Sequence, residues 1–148
     1  MQEPEDSPRH WCFGCGALNP EGLHVAFEVV GMRVTGRFTP RKEHQGFPGV
    51  AHGGIAATVL DEAMGWAMYA ANAWAMTAKM EVRYRRPLTL GEEVIVTAGV
   101  VRDRGRRLEA EARIETTSGE TLAEANGLFL RLPQERSRLL GESFLGNA

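Results

Sequence analysis

A nearly continuous apolar run extends from Ile55 to Ala71 and is interrupted by one acidic pair, Asp61 and Glu62. Alanine, leucine and methionine favour helix, and no proline breaks the run. A helix that is apolar on every face is buried rather than laid on a surface. The pattern therefore predicts a central helix that ends near Asn72 and is surrounded by the rest of the chain.

Alternating apolar and polar positions predict two strands before this helix and four after it. The predicted strands are Leu23–Val30, Met32–Phe38, Met76–Arg86, Glu92–Arg102, Arg106–Thr116 and Thr121–Leu132. One helix among antiparallel strands predicts an α+β domain in the order β-β-α-β-β-β-β, with a sheet that curls around its only helix. We expect a disordered N-terminus over residues 1–11, a single domain over 12–133 and a polar C-terminal tail over 134–148.

The alternation is clearest in the fifth predicted strand, where four small or aliphatic residues alternate with charged ones. These inward positions are Leu108, Ala110, Ala112 and Ile114. A small inward set is what a strand needs where a helix lies close to it.

Composition and charge exclude several classes of protein. The chain has 148 residues, a net charge of −2, 43% hydrophobic and 24% charged residues, as in a soluble globular domain. Its charge offers no general attraction to nucleic acid or anionic lipid. The acidic pair argues against a membrane span, and the polar, acidic start is not a signal peptide. We expect a cytoplasmic protein that binds neither nucleic acid nor membrane.

The predicted helix begins at the motif His52-Gly53-Gly54. The first N–H groups of a helix lack intrahelical acceptors, and the helix dipole favours negative charge there. Gly53 and Gly54 have no side chains to keep a ligand away. This HGG motif is therefore a candidate site for an oxyanion.

The spacing between His52 and Asp61 has a geometric consequence. Asp61 follows His52 by nine residues, which is about 13 Å along a helix and about half a turn out of phase. The two side chains of one chain therefore point to opposite sides of the helix. They can share a site only if His52 comes from one subunit and Asp61 from another. The alternative is that Asp61 or Glu62, each costly to bury, faces an opening in the core or a partner and merely keeps the packing in register.

The two cysteines of the chain form the motif Cys12-Phe13-Gly14-Cys15. A zinc site completed by His10 and His24 lacks the usual finger spacing. A thioredoxin-like redox motif lacks its βαβ context. The favoured interpretation is two thiols packed in an N-terminal turn, and we expect neither a metal nor an organic cofactor.

Three segments resemble the hotdog-fold acyl-CoA thioesterases, in particular the phenylacetic-acid-pathway and human thioesterase-superfamily branch. They are CFGCGALNPEGL, GFPGVAHGGIAATVLDEAMG and TAKMEVRYRRPLTLGE, and with the strand order they cover residues 12 to 132. The resemblance implies a hotdog fold, an acyl-CoA substrate and no cofactor. It also implies a homodimer that forms one continuous sheet, or a homotetramer, with sites between subunits.

The resemblance implies roles for individual residues. Asp61 matches the carboxylate that acts as general base or nucleophile at the thioester. Gly54 matches the glycine whose N–H polarises the thioester carbonyl. His52 matches the histidine that orients substrate or water nearby. Thr77 matches a hydroxyl that positions water. Some relatives place Asn or Gln six residues before the histidine; Gly46 stands there, so neighbouring Gln45 is the candidate replacement.

Coenzyme A also carries phosphates, which guanidinium groups bind well. The candidates are Arg83, Arg85 and Arg86, with a solvated strand face as the alternative. Alternation sends Arg83 and Arg85 to one face with Glu81, and Arg86 to the other, so not all three can bind. Three aromatic residues either line an acyl pocket or pack in the core: Trp66, Tyr69 and Trp74.

Two other functions compete with thioester hydrolysis. Hotdog dehydratases carry His-Phe-Pro-Gly and a glutamate fourteen residues after the histidine; residues 44–49 echo the motif, but Thr58 stands in place of the glutamate. A non-catalytic acyl-CoA-binding module would keep the fold without turnover. A Ser-His-Asp mechanism is excluded because the chain has no G-x-S-x-G elbow.

Overall fold

The computed structural model describes residues 9–145. It contains two α-helices, α1 (Gly53–Ala70) and α2 (Gln134–Leu145), and a short 3-10 turn over Lys42–His44. Its six strands are β1 (Ala26–Val30), β2 (Arg33–Phe38), β3 (Ala75–Tyr84), β4 (Val94–Asp103), β5 (Arg107–Thr116) and β6 (Thr121–Arg131).

The strands form one antiparallel sheet in the order β1-β2-β4-β5-β6-β3, so β1 and β3 are its edges. Helix α1 contacts all six strands. A sheet whose every strand reaches the same helix curves around that helix. The predicted hotdog architecture, one central helix in a curved antiparallel sheet, is therefore confirmed.

The core lies between α1 and the sheet. The predicted inward residues of β5 are all buried, at 5% exposure or less. Close approach also depends on Gly127 of β6, where an added Cβ would lie 2.9 Å from the sulfur of Met64. The buried side of the helix consists of Ala56, Val59, Leu60, Ala63, Met64, Ala67 and Met68.

Helix α1 is not buried on every face within one chain, contrary to the expectation from its apolar character. The side opposite the core is only half-buried, and it carries Asp61 and Glu62 together with Ala57 and Gly65. One chain therefore leaves an apolar strip around the acidic pair partly open.

Most predicted element boundaries fall within two residues of the observed ones, and the exceptions have local causes. Strand β1 begins at Ala26 rather than Leu23, because His24 has a left-handed backbone with φ of 52°. Asn72, with φ of 57°, follows the end of α1 as predicted. Strand β3 ends at Tyr84, and the N–H groups of Arg85 and Arg86 both bond to Leu122 O. The predicted alternation of faces therefore does not extend to those two arginines.

Within the polar C-terminal tail expected from the sequence, residues 134–145 form α2. The ring of Phe144 lies 6.2 Å from that of Trp74 and 4.2 Å from that of His10, so α2 contacts the residue before β3 and the start of the described chain. The predicted disordered N-terminus lies mostly outside the described residues. Within residues 9–145, neither helix has the length and apolar character needed to cross a membrane.

Candidate active site

The first three N–H groups of α1 differ in their hydrogen-bond acceptors. His52 is the N-cap, and its Nδ1 accepts a hydrogen bond from the N–H of Gly54 at 2.9 Å. The carbonyl of His52 accepts the N–H of Ile55 at 2.9 Å. The N–H of Gly53 has no acceptor among residues 9–145. Because the predicted donor, Gly54, is occupied by the imidazole, Gly53 offers the free donor of the helix start.

A tyrosine on the edge strand holds this helix start. The hydroxyl of Tyr84 donates to the carbonyl of Gly53 at 2.7 Å, and its ring lies 3.6 Å from the position of a Cβ on Gly53. Tyr84 is the last residue of β3 and is 56% exposed. The sequence alone does not single out Tyr84 as a site residue. Its signal there was weak, because nothing in the spacing relates the end of β3 to the start of α1.

Asp61 and Thr77, two of the residues to which the resemblance gives catalytic roles, contact each other. Thr77 Oγ1 donates to Asp61 Oδ1 at 2.7 Å, which links the middle of α1 to the start of β3. The register of β3 against β6 shifts between Thr77 and Lys79. Such a bulge redirects the side chains next to it. Within the described chain Asp61 Oδ2 accepts no hydrogen bond from protein, so one carboxylate oxygen is held and the other is available.

The two halves of the site stay apart within one chain. Helix α1 is continuous from Gly53 to Ala70, so Asp61 remains about 13 Å from the helix start. Thr77 and Tyr84 lie seven residues apart on β3, roughly 23 Å in a strand. Both halves therefore face the same edge of the sheet, at opposite ends of β3.

The remaining predicted binding residues are engaged within the chain. Gln45 Oε1 accepts the N–H of Gly49 at 3.1 Å and closes the loop before α1. The three arginines form surface ion pairs: Arg83 with Glu81 at 4.0 Å, Arg85 with Glu124 at 3.2 Å and Arg86 with Glu120 at 2.8 Å. Exposed ion pairs are weak, so a phosphate can compete for these arginines.

His44, the histidine of the dehydratase-like motif, is a buried structural residue with 5% exposure. Its Nδ1 accepts the N–H of Arg41 at 2.9 Å, and its carbonyl accepts the N–H of His52 at 2.7 Å. Burial lowers the pKa of its imidazole. Its place in the fold is to support His52 from behind, which is incompatible with a base that must reach a substrate.

The side chain of Glu62 contacts the N-terminal turn, whereas that of the neighbouring Asp61 contacts Thr77. The thiol of Cys12 donates to Glu62 Oε1 at 3.3 Å. Burial raises the pKa of the Glu62 carboxyl to about 7. The thiols are packed in the turn, as the favoured interpretation had it, but against a carboxylate that it did not foresee. His24 lies elsewhere, with Nε2 2.6 Å from Asn19 O, so it does not join the cysteines.

The three aromatic residues form a row along the outer side of α1. Ring centroids are 5.8 Å apart between Trp66 and Tyr69 and 6.0 Å apart between Tyr69 and Trp74. The row continues to Phe27 at one end and to Phe144 of α2 at the other. Trp66 packs against the core, whereas Tyr69 is exposed.

Known proteins share this architecture. A bovine (Bos taurus) protein named acyl-coenzyme A thioesterase THEM4 is 35% identical over 63% of this chain and 38% of its own length. A crystal structure of a thioesterase superfamily protein is 32% identical, with a TM-score of 0.75 over 78% of this chain and 60% of that one. A Streptococcus pneumoniae thioesterase protein, solved with coenzyme A, has the same fold at 16% identity, with a TM-score of 0.70 over 74% of this chain and 87% of that one.

The chain spans about two fifths of the length of the curated relatives that it matches. The sequence profile of the thioesterase superfamily matches residues 48–123, which include the helix start, Asp61, Thr77 and Tyr84. That match covers the two elements, α1 and β3, that build both halves of the candidate site. The chain therefore belongs to the thioesterase superfamily.

Proposed function

We propose that this protein hydrolyses acyl-CoA thioesters to a free acid and coenzyme A at a site formed by two subunits. The observation that carries the proposal is the pairing of Asp61 with Thr77 on the same open edge that holds the helix start. The relatives named as acyl-CoA thioesterases support the reaction class, as does the family to which the chain belongs.

The chemistry follows from what the two halves offer. A thioester carbonyl that points at the start of α1 receives the free N–H of Gly53, and that of Gly54 once His52 releases it. The dipole at this end stabilises the oxyanion that develops. Asp61 either removes a proton from water as the water attacks the carbonyl carbon, or attacks it directly. When water attacks, the carbon–sulfur bond breaks, and the sulfur of coenzyme A leaves and takes up the proton that Asp61 removed. When Asp61 attacks, the carbon–sulfur bond breaks and leaves an acyl–Asp61 anhydride. Water then hydrolyses this anhydride, which restores the carboxylate, releases the free acid and supplies the proton to the thiolate of coenzyme A.

Asp61 is held for this role by Thr77. A hydroxyl that donates to Oδ1 fixes the carboxylate plane and leaves Oδ2 to face the substrate or water. General-base help of this kind contributes about 10²- to 10⁴-fold to a rate. His52 then orients the substrate or water at the other half, and Gln45 lies in the loop beside it.

Two subunits are needed to unite the halves. Within the described chain β3 pairs only with β6, so one row of its backbone groups is free for another strand. Antiparallel pairing of two β3 strands across a two-fold axis would bring Asp61 and Thr77 of one subunit toward Gly53 and Tyr84 of the other. It would also cover the half-open strip of α1. We therefore propose a homodimer, or a homotetramer built from two such dimers.

Three further points belong to the proposal. Arg83, Arg85 and Arg86 bind the phosphates of coenzyme A after exchange of their carboxylate partners. The aromatic row beside α1 contacts the acyl group. The cytoplasmic location expected from the sequence stays a prediction.

The decisive experiment measures thiol release from a panel of short, medium, long and aryl acyl-CoAs. Asp61→Asn keeps the shape of the side chain and should lower kcat roughly 10²-fold or more, with little change in substrate binding. The matched control is Glu28→Gln on the opposite edge strand, where an exposed carboxylate is removed far from the site. Binding of acyl-CoA without thiol release by the wild-type protein would favour the non-catalytic module instead.

A dehydratase is tested in the same assay with 3-hydroxyacyl-CoA. Hydrolysis releases coenzyme A, whereas dehydration releases water and leaves the thioester intact. The burial of His44 and the threonine at position 58 argue for hydrolysis.

A further inference from the structure

The N-terminal turn and α1 meet at a cluster that hydrolysis does not use. Sγ of Cys12, Sγ of Cys15 and a carboxylate oxygen of Glu62 all lie within 4.8 Å of one another. Cys15 is buried and Cys12 is half-buried, so the cluster has a closed side and an open side. The chain has two cysteines in all, and both are here.

Glycine makes this meeting possible. A Cβ on Gly14 would lie 2.5 Å from Cδ of Glu62, so any other residue at position 14 would push the carboxylate away. A Cβ on Gly16 would lie 2.3 Å from the carbonyl oxygen of His10. The turn is also closed by the N–H of Gly16, which donates to Cys12 O at 2.8 Å. The backbone is therefore fitted around the three side chains.

The cluster gathers three acidic groups, the two thiols and the Glu62 carboxyl. No salt bridge within residues 9–145 involves Glu62. The pKa of the Cys15 thiol is raised by the neighbouring Cys12 thiol and by burial. The pKa of Cys12 is lowered, most by Cys15 and further by the backbone N–H groups of Cys15 and Gly14. Buried acids that collect in this way are stabilised when they coordinate a cation.

The geometry suits a zinc-type ion. Zinc bonds to sulfur at about 2.3 Å and to carboxylate oxygen at about 2.1 Å, which places the two ligand atoms roughly 3.6 Å apart in a tetrahedral site. Cys12 Sγ and Glu62 Oε1 are 3.3 Å apart. Two thiolates and a carboxylate carry three negative charges and so more than compensate a divalent ion, and thiolates select zinc over magnesium or calcium.

We propose that Cys12, Cys15 and Glu62 bind one zinc ion per chain, with water as the fourth ligand on the open side of Cys12. His10 does not supply that ligand through Nδ1, because this atom accepts the N–H of Cys12 at 3.2 Å. The site is structural. It fastens the N-terminal turn to the middle of α1, on the residue next to Asp61, and it acts independently of the hydrolysis proposed above.

The test starts from full-length protein stripped with a chelator and kept reduced with a phosphine. After addition of zinc and desalting, metal analysis should find about one zinc per chain. Cobalt should give the intense near-ultraviolet thiolate band and the visible bands of a tetrahedral site. Wild-type protein that retains no zinc and shows no thiolate–cobalt band would overturn the proposal without any variant.

Variants then assign the ligands. Cys12→Ser, Cys15→Ser and Glu62→Gln should each weaken zinc binding at least tenfold, and Gly14→Ala should weaken it without removing a ligand. The matched control is Asp61→Asn, which removes the neighbouring carboxylate and should retain zinc while it loses hydrolysis. Stoichiometric zinc in a folded Cys12→Ser, Cys15→Ser double variant would contradict the assignment.

Discussion

His52 Nδ1 and the N–H of Gly54 form a hydrogen bond of 2.9 Å, so the imidazole occupies a donor that a thioester carbonyl would use. A neutral imidazole that accepts through Nδ1 carries its proton on Nε2. The ring therefore caps the helix in the free protein and presents a donor toward the solvent. Substrate must displace the ring from Gly54, or use Gly53 in its place.

Substitutions at Gly54 test the role of its N–H. Gly54→Pro removes the donor at a helix position where proline is tolerated, and kcat should fall roughly 10²-fold if the N–H stabilises the oxyanion. Gly54→Ala is the matched control. It keeps the N–H, although its Cβ would lie 3.0 Å from His52 Nδ1 and displace the ring slightly. Equal kcat values for folded proline and alanine variants would assign the oxyanion to Gly53 alone.

Mixing of two inactive variants tests the shared site. Asp61→Asn and His52→Ala each disable one half, and in a randomly exchanged dimer pool about half of the dimers are mixed. Each mixed dimer has one intact site and one doubly altered site, so activity should recover toward about one quarter of the wild-type value. Native mass spectrometry checks the exchange. Complete exchange with activity still at the mutant level would show that each site lies within one chain.

Assembly is tested separately. We expect a dimer or tetramer by light scattering at assay concentration, because β3 leaves an unpaired row of backbone groups along ten residues. A fully active monomer at that concentration is incompatible with the shared site.

Tyr84→Phe tests the support of the helix start. The variant keeps the ring beside Gly53 and loses the 2.7 Å hydrogen bond to the Gly53 carbonyl. One such bond contributes about 1 kcal/mol, so kcat should fall roughly fivefold with KM nearly unchanged. If Tyr84 positions the helix start and acts on the same oxyanion as Gly54, the two substitutions should not be additive. The kcat of the double variant Tyr84→Phe, Gly54→Pro should then be close to that of Gly54→Pro alone. Unchanged kcat and KM would remove Tyr84 from the site.

The Glu62 carboxyl predicts a pH dependence of stability in metal-free protein. Its pKa rises from 4.5 to about 7 on folding, mainly through burial, with the acidic groups Cys12, Cys15 and Asp61 as neighbours. The folded state then holds a proton that the unfolded state releases, so the contribution of Glu62 to stability falls as pH rises from about 4.5 to about 7, by roughly 3 kcal/mol at most. The lowered pKa of Cys12 acts in the opposite direction above about pH 5. The measurement is therefore a difference: thermal unfolding should show the wild type losing stability relative to Glu62→Gln over this range.

Zinc should reverse that trend. Metal binding requires deprotonated ligands, so its stabilisation grows with pH. Wild-type protein with zinc should become more stable between pH 5 and 8, relative to Glu62→Gln under the same conditions. Parallel curves with and without zinc would count against the metal site.

The chain order of elements was predictable because each element carries its own periodic pattern. Strand β5 shows this best: its inward residues alternate with charges, and all are buried. The end of α1 was predictable from Asn72, whose side chain tolerates a left-handed backbone. Asp61 and Thr77 were singled out only through the family resemblance, and their contact with each other was not anticipated.

Other features depend on contacts between distant parts of the chain, which no local pattern encodes. Glu62 meets Cys12 across a separation of 50 residues, and Tyr84 meets Gly53 across 31. Helix α2 has few apolar residues and depends on Phe144 packing against Trp74 and His10. The sequence pattern of α2 is weak because much of the stability of this helix comes from tertiary contacts.

The bulge between Thr77 and Lys79 restricts the register in which the β3 strands of two chains can pair. A regular edge strand can slide along its partner by two residues and keep its hydrogen bonds, so regular edges tolerate misalignment. A bulge interrupts that repeat, and two chains that met through β3 would fit at one alignment. Since Thr77 and Tyr84 sit on the same strand, a slip of about 6.6 Å would silence both sites of a dimer together. Each dimer of the proposed enzyme would then have either two active sites or none, and no dimer would have one.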